Sequence, residues 1–201
     1  MWPVHDNPPL FTSVWPQMSC LQDFEYIIGV DSGADLALQY GITPNLIIGD
    51  LDSVNRENHP EESLILIEGQ ENNDLSKALE VCLEKDLTTI CILGFTGKRN
   101  DHELANYAAL HNANEILDIR VILDDMIIHR ITNTNDCMYN VPVGTLVSIF
   151  SFENTHVKTT GLEWDLDDEI GFSSRGLSNK TIEEEFTVNA TGSVFVLIHI
   201  S

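Results

Sequence analysis

Positive charge is what this chain has least of. Ten Lys and Arg stand against 32 Asp and Glu, a formal net charge of −22 over 201 residues. That balance excludes nonspecific binding to nucleic acid or to anionic membranes, both of which need a basic surface. No apolar run approaches the ~20 residues that span a bilayer. The N-terminus, Met1-Trp2-Pro3-Val4-His5-Asp6, lacks the basic and apolar regions of a secretory leader. Cysteine is sparse as well. Cys20, Cys82, Cys91 and Cys137 form no CxxC and no zinc spacing, so small core thiols in a reduced cytoplasm are expected, not ligands or a disulfide framework. Several catalytic signatures are also missing. There is no G-x-x-x-x-G-K-[ST], no G-x-G-x-x-G, no G-x-S-x-G and no HExxH, and the seven His are scattered.

What is present fits a soluble globular chain, with 43% hydrophobic and 21% charged residues. Short apolar, β-branched runs at 26–30, 46–48, 64–67, 89–93, 120–123 and 127–130 read as strands covered on both faces. Helical patterns lie between them. Leu75, Ala78, Leu79, Cys82 and Leu83 form one stripe. Leu104, Ala105, Ala108 and Ala109 form a weaker one, and 35–40 reads as a short helix ended by Gly41. After about residue 131 the helical period is lost, and strands at 145–150, 156–160, 185–188 and 194–200 alternate with polar turns. The expectation is an α/β fold: a Rossmann-like, mostly parallel sheet over residues 1–130, then a small all-β sandwich over 131–201.

Three turns that follow these strands carry acids. They are Val30-Asp31-Ser32-Gly33-Ala34-Asp35, Gly49-Asp50-Leu51-Asp52-Ser53, and Gly94-Phe95-Thr96-Gly97-Lys98-Arg99-Asn100-Asp101-His102; Asn72-Asn73-Asp74-Leu75 opens a helix. Ligands of open α/β sheets gather beyond the carboxyl ends of the strands. A parallel sheet therefore puts Asp31, Asp50, Asp52, Asp74 and Asp101 on one edge. Read as extended chain, Asp50 and Asp52 aim the same way, and carboxylates at that spacing repel unless a cation lies between them. Mg²⁺ takes oxygen ligands and leaves positions for phosphate. The glycines admit backbone N–H groups to phosphate oxygens, with Lys77, Lys98 and Arg99 beside them. Each residue also has a plainer reading. The Asp-Leu-Asp run can be a polar turn, Asn73 or Asp74 a helix cap, Asn100 and Glu103 a capping box, and His102 a capping or supporting residue. Five acids on one edge among Gly-rich turns point to a metal–phosphate site.

The ordered set of runs resembles the thiamine pyrophosphokinase family. It comprises Gly33-Ala34-Asp35, Pro44 to Ser53, Asn73-Asp74-Leu75-Ser76-Lys77-Ala78-Leu79, Gly97 to Asn106, Gly161-Leu162-Glu163-Trp164-Asp165-Leu166, and Ser174-Arg175-Gly176-Leu177-Ser178-Asn179. The resemblance covers about residues 26–200. It implies Mg²⁺-dependent transfer of a diphosphate from ATP to the thiamine hydroxyl, releasing AMP. It also implies a homodimer whose sites lie between the catalytic domain of one chain and the β-domain of the other. Under it, Asp50, Asp52 and Asp101 hold the metal with Asp31 nearby, and Lys77 and Arg99 face the ATP phosphates. Gln70 and Asp74 face thiamine, and Trp164, Ser178 and Asn179 complete its pocket. Asp74 or Asp101 accepts the hydroxyl proton. Composition alone reads Trp164 as a core residue of the β-domain. The chain departs from the family pattern in places. Residues 1–23 are Pro-rich and show no clear opening strand, Asn73 replaces a usual Thr, Asp35 a usual Asn, and Lys98 stands where Gly is common. The competing readings are a pterin-type diphosphokinase, which can share a GDxDS-like loop, and, from a different class, a metal-dependent nucleotide hydrolase or a thiamine-binding sensor.

Overall fold

The structure, a computed structural model, describes residues 9–11, 24, 26–69, 71–96 and 99–200. The chain divides into two compact units, Met1–Asp124 and Asp125–Ser201.

In the first unit, β1 (Pro9–Phe11), β2 (Ile28–Val30), β3 (Leu46–Gly49), β4 (Leu64–Leu66), β5 (Thr89–Leu93) and β6 (Asp118–Ile122) form a sheet in the order β6-β5-β1-β2-β3-β4. Every neighbouring pair in it is parallel. Such strands are covered on both faces, which is why Ile28, Val30, Ile47, Ile48, Ile90 and Ile92 are all buried. β1 corrects the expectation that residues 1–23 hold no clear strand: it pairs with β2 on one side and β5 on the other. Three residues are too few to show a period, and Pro9 is tolerated because it is the first residue of the strand.

The helices are α1 (Gly33–Gln39), α2 (Asp74–Glu84) and α3 (Asn100–Asn112). In α2 the expected stripe holds: Leu75, Ala78, Leu79 and Cys82 are buried. Burial pushes the Cys82 thiol up to about 12, so it is an inert core group. In α3 the expected stripe does not hold. Leu104 is exposed and only Ala109 and Leu110 are buried. The helix instead docks through Tyr107, whose ring meets Phe95 edge-on at 4.9 Å. Among the described residues no helix is long and apolar enough to cross a membrane.

The second unit contains β7 (Met126–Ile131), β8 (Thr134–Asn140), β9 (Leu146–Phe150), β10 (Thr155–Thr160), β11 (Asp167–Ile170), β12 (Asn179–Lys180), β13 (Glu185–Ala190) and β14 (Val194–His199). They pair antiparallel in the orders β12-β9-β14-β7 and β11-β10-β13-β8. One apolar cluster draws on both sets, with Ile131, Val147, Val196 and Ile198 from the first and Tyr139, Val157, Phe186 and Val188 from the second. β8, β11 and β12 are additions to the sequence expectation. β11 lies at the end of its set and buries only Ile170, its three acids remaining exposed. Charge of this kind on an edge strand blocks unwanted pairing and also erases the apolar alternation that reveals a strand.

Candidate active site

Two acid-bearing turns meet because their strands are neighbours. β2 runs out into Asp31, whose N–H donates to Ile48 O of β3 at 2.8 Å. β3 ends at Gly49, with φ 155°, where an added Cβ would stand 3.2 Å from the Asp31 Cβ. A side chain there would press on Asp31, so the approach of the two turns depends on the glycine.

The next three residues differ from the extended run expected for Asp50 and Asp52. Leu51 is left-handed (φ 58°) and buried among Ala34, Ile47 and Val54. That conformation costs a non-glycine residue roughly 1–2 kcal/mol, which the burial of a leucine side chain offsets. The consequence is a tight turn in which Asp52 N–H donates to Asp50 Oδ1 at 3.2 Å. Asp31 is left-handed too, at φ 46°. Ligand oxygens of Asp31, Asp50 and Asp52 come within 4.8 Å of one another. At an effective dielectric of ~20, unit charges that close repel by about 3 kcal/mol per pair. The hydrogen bonds from Asp52 N–H and Ser53 Oγ, each worth roughly 1 kcal/mol net, offset only part of this; a divalent cation would offset the rest. The Ser53 hydroxyl donates to Asp31 Oδ2, whereas Asp31 Oδ1 is buried without a hydrogen-bond partner. A hard cation would satisfy that oxygen.

Asp31 also lines a cavity of about 600 Å³, shared with Ser53, Asn73, Asp74, Phe95, Arg99 and Asp101, among others. Asn73 is the helix cap. Its Oδ1 accepts from Ser76 N–H at 2.9 Å, and its Nδ2 donates to Asn106 Oδ1 at 3.0 Å. Asn106 in turn donates to Phe95 O at 3.1 Å. This chain of amides fixes the start of α2 against α3 and the turn after β5. Asn106 and Ser53 are site-building residues whose only sequence signal was membership of the motif runs. At α3, Asn100 is the first helical residue and Arg99 the cap position, with no side-chain cap bond. The capping box that the spacing allowed is therefore not formed.

The two basic residues expected to face phosphate are both paired. Arg99 forks onto Asp101 through Nε–Oδ1 at 3.0 Å and Nη2–Oδ2 at 2.5 Å. The guanidinium holds the Asp101 carboxyl down, to about 2, and the Arg99 pKa rises in return. Asp101 lies outside the three-carboxylate group, although it lines the same cavity. Lys77 is 6% exposed and bonds Asp74 Oδ1 at 2.9 Å. It fixes Asp74 and is not among the residues that line the cavity. Gln70 and Lys98 lie outside the described residues.

Trp164, Ser178 and Asn179 belong to the second unit. Trp164 is 59% exposed, which corrects the core reading that composition gave. Its loop is held by its backbone. Asn179, itself buried, accepts from Trp164 N–H at 3.2 Å and donates to Trp164 O at 2.7 Å. Asp165 Oδ1 adds bonds from Leu162 N–H and Thr159 Oγ1 at 3.1 Å each. Gly161 (φ 86°) brings the loop against β13; a Cβ there would sit 2.5 Å from Glu185 O. Ser178 is exposed and left-handed (φ 58°), its N–H bonded to Ser148 Oγ at 3.0 Å. Arg175 pairs with Asp168 at 2.6 Å and holds that carboxyl below the usual range. The result is a hydrogen-bonded loop presenting a largely exposed tryptophan.

Two family models match in tandem. The thiamin pyrophosphokinase catalytic domain matches residues 18–123, and the thiamin pyrophosphokinase substrate-binding domain matches residues 131–197. The chain is 36% identical over 90 residues to a thiamine pyrophosphokinase of Bacillus subtilis (strain 168), covering 42% of each protein. It is 28% identical over 178 residues to thiamine pyrophosphokinase 1 of Oryza sativa subsp. japonica, covering 79% of this chain and 66% of that one. The matched stretches thus span 42% and 66% of these two relatives. A crystal structure of thiamine pyrophosphokinase from Bacillus subtilis shares the fold, with a TM-score of 0.81 at 23% identity over 98% of this chain and 99% of that one. The chain belongs to the thiamin pyrophosphokinase family.

Proposed function

We propose that this chain transfers the diphosphate of ATP to the hydroxyl of thiamine, releasing AMP and thiamine diphosphate. The observation that carries this reading is the Asp31–Asp50–Asp52 group, whose Asp31 lines a cavity with Asn73, Asp74 and Arg99, within the stretch matched by the catalytic family model. In this reading the first unit is a Rossmann-like nucleotide domain and the second a thiamine-binding β-sandwich, working in the cytoplasm. The buried thiol of Cys82, an inert core group, suits that compartment.

Asp31, Asp50 and Asp52 are the residues that would hold Mg²⁺, which when bound supplies positive charge beside the phosphate oxygens. Asp31 Oδ1 and the mutual repulsion of the three acids are what make the group fit a cation. Arg99 brings a fork of donors to the phosphates when it exchanges Asp101 for them. Asp74, oriented by Lys77, accepts the thiamine hydroxyl proton. Asp101, which lines the same cavity as Asp74, is the other candidate for that proton. The acidic balance of the chain favours a cationic acceptor such as thiamine.

The test is AMP formation from ATP and Mg²⁺ with thiamine, with a hydroxymethylpterin, and with neither. Thiamine-dependent AMP is expected. AMP that requires the pterin, or release of diphosphate without any acceptor, would replace this reading with one of its rivals.

The resemblance also supports a homodimer with sites completed by the partner chain. Asp52→Asn chains refolded together with Trp164→Ala chains then regain about a quarter of wild-type activity at low thiamine. Half of randomly paired dimers are mixed, and each mixed dimer keeps one intact site of two. A mixture as inactive as its parents, with mixed dimers verified by mass, would refute shared sites.

A further inference from the structure

The two segments that carry the acid group are tied together a second time, outside it. Asp35 lies in the first turn of α1, four residues beyond Asp31. Both its oxygens are engaged: Oδ1 by His59 Nε2 at 2.9 Å, and Oδ2 by the Asn55 backbone N–H at 2.8 Å. Both partners belong to the segment that follows Asp50 and Asp52, through a short 3-10 turn at Arg56–Asn58. The His59 side chain is 1% exposed, an unusual degree of burial for an imidazole. None of Asp35, Asn55 and His59 is among the cavity-lining residues.

The acid group gives such a tie a purpose. Three carboxylates within 4.8 Å push the turn after β2 away from the turn after β3. Within the group itself the Ser53–Asp31 bond opposes this separation. Asp35 joins the same two segments from outside, and its anchor is a side chain withdrawn from water. We infer that the Asp35–His59 pair is a positioning device that holds the Asp50–Asp52 turn against Asp31 and so sets the divalent-cation affinity of the group without touching the ion. The inference rests on the reading of Asp31, Asp50 and Asp52 as the metal-holding residues. Groups that orient metal ligands from behind are typically worth ~10–100-fold in affinity. For this open group the lower end, about tenfold, is expected.

The test is Mn²⁺ binding by calorimetry without nucleotide, with folding followed by circular dichroism. His59→Leu fills the volume but loses the bond; Asp35→Ala loses both bonds. Each is expected to weaken Mn²⁺ by about tenfold. His59→Gln keeps a donor near the position of Nε2. Asp35→Asn still accepts from Asn55 and donates to a neutral imidazole. Both are expected within about threefold of wild type, the size of a small neighbouring change. Because Asp35→Ala and Asp35→Asn lose the same charge, their difference reports the tie alone. If His59→Leu does not fold, the Asp35 pair decides. Equal Mn²⁺ affinity in Asp35→Ala and wild type, or equal weakening in Asp35→Ala and Asp35→Asn, overturns the inference while the metal reading stands. If wild type binds no Mn²⁺, or binds it no better than Asp52→Asn, the metal reading and the inference fall together.

Discussion

Asp52→Asn is expected to lower kcat by ~100-fold or more at saturating Mg²⁺ while leaving the fold intact, on the scale of removing one electrostatic stabiliser from a reacting centre. Asp52 is exposed, so the amide costs no packing. Its backbone N–H still reaches Asp50 Oδ1, so the turn persists. What is lost is one of the three negative charges that would face the proposed cation. The same change removes two repulsions of about 3 kcal/mol each at an effective dielectric of ~20, before screening by salt. Melting without metal should therefore be unchanged or higher in the variant. A bound ion stabilises only the folded state, so the rise in melting temperature that Mg²⁺ gives wild type should shrink or vanish. Activity falling while metal-free stability holds or rises is the signature of a site that sacrifices stability for charge. Wild-type turnover in Asp52→Asn would remove it from the metal-holding set.

The sequence singled out the acids, but not the manner of their meeting. Asp50 and Asp52 read as neighbours on one side of an extended run, whereas they are brought together by Leu51, left-handed and buried. An apolar residue between two acids gives no warning of a turn. Asp31 was a peripheral candidate for the metal and Asp101 a central one. The structure groups Asp31 with Asp50 and Asp52, because β2 and β3 are neighbours, and gives Asp101 to Arg99. Strand order is a long-range property that local pattern does not encode. The pairing of Lys77 with Asp74 was similarly hidden, since i,i+3 spacing permits the contact without requiring it. β2, β3 and β5 were readable because burial leaves largely apolar runs, whereas β4 is only partly buried and β6 alternates between buried and part-buried residues. β8, β11 and β12 were not, since polar residues and two-residue lengths leave no period to detect. His59 carried no signal at all: a lone histidine in a polar segment becomes informative only when its burial and its partner are seen.

Trp164→Ala should raise KM for thiamine about 30-fold, with KM for ATP unchanged, if the exposed indole receives the thiazolium ring. A cation over an indole face is worth ~2 kcal/mol when desolvated, and 1.4 kcal/mol corresponds to a factor of ten. Because Trp164 is 59% exposed, removing its side chain should cost little stability. A core tryptophan would instead cost about 3–5 kcal/mol and damage both substrates alike. Thiamine should change the tryptophan emission of wild type, and most of that change should be missing from Trp164→Ala, even though Trp2 and Trp15 remain. Asn179→Ala separates presentation from contact. It leaves the indole in place but deletes both bonds to the Trp164 backbone, abandoning part of a buried polar pair at a cost of about 1–3 kcal/mol. The loop then samples more orientations, so KM for thiamine should rise while the emission change persists at saturating thiamine. Asn179→Ala thus behaves as a loosened loop and Trp164→Ala as a lost contact. Equal effects of Trp164→Ala on thiamine and ATP, accompanied by a lower melting temperature, would rule out the indole as the acceptor platform.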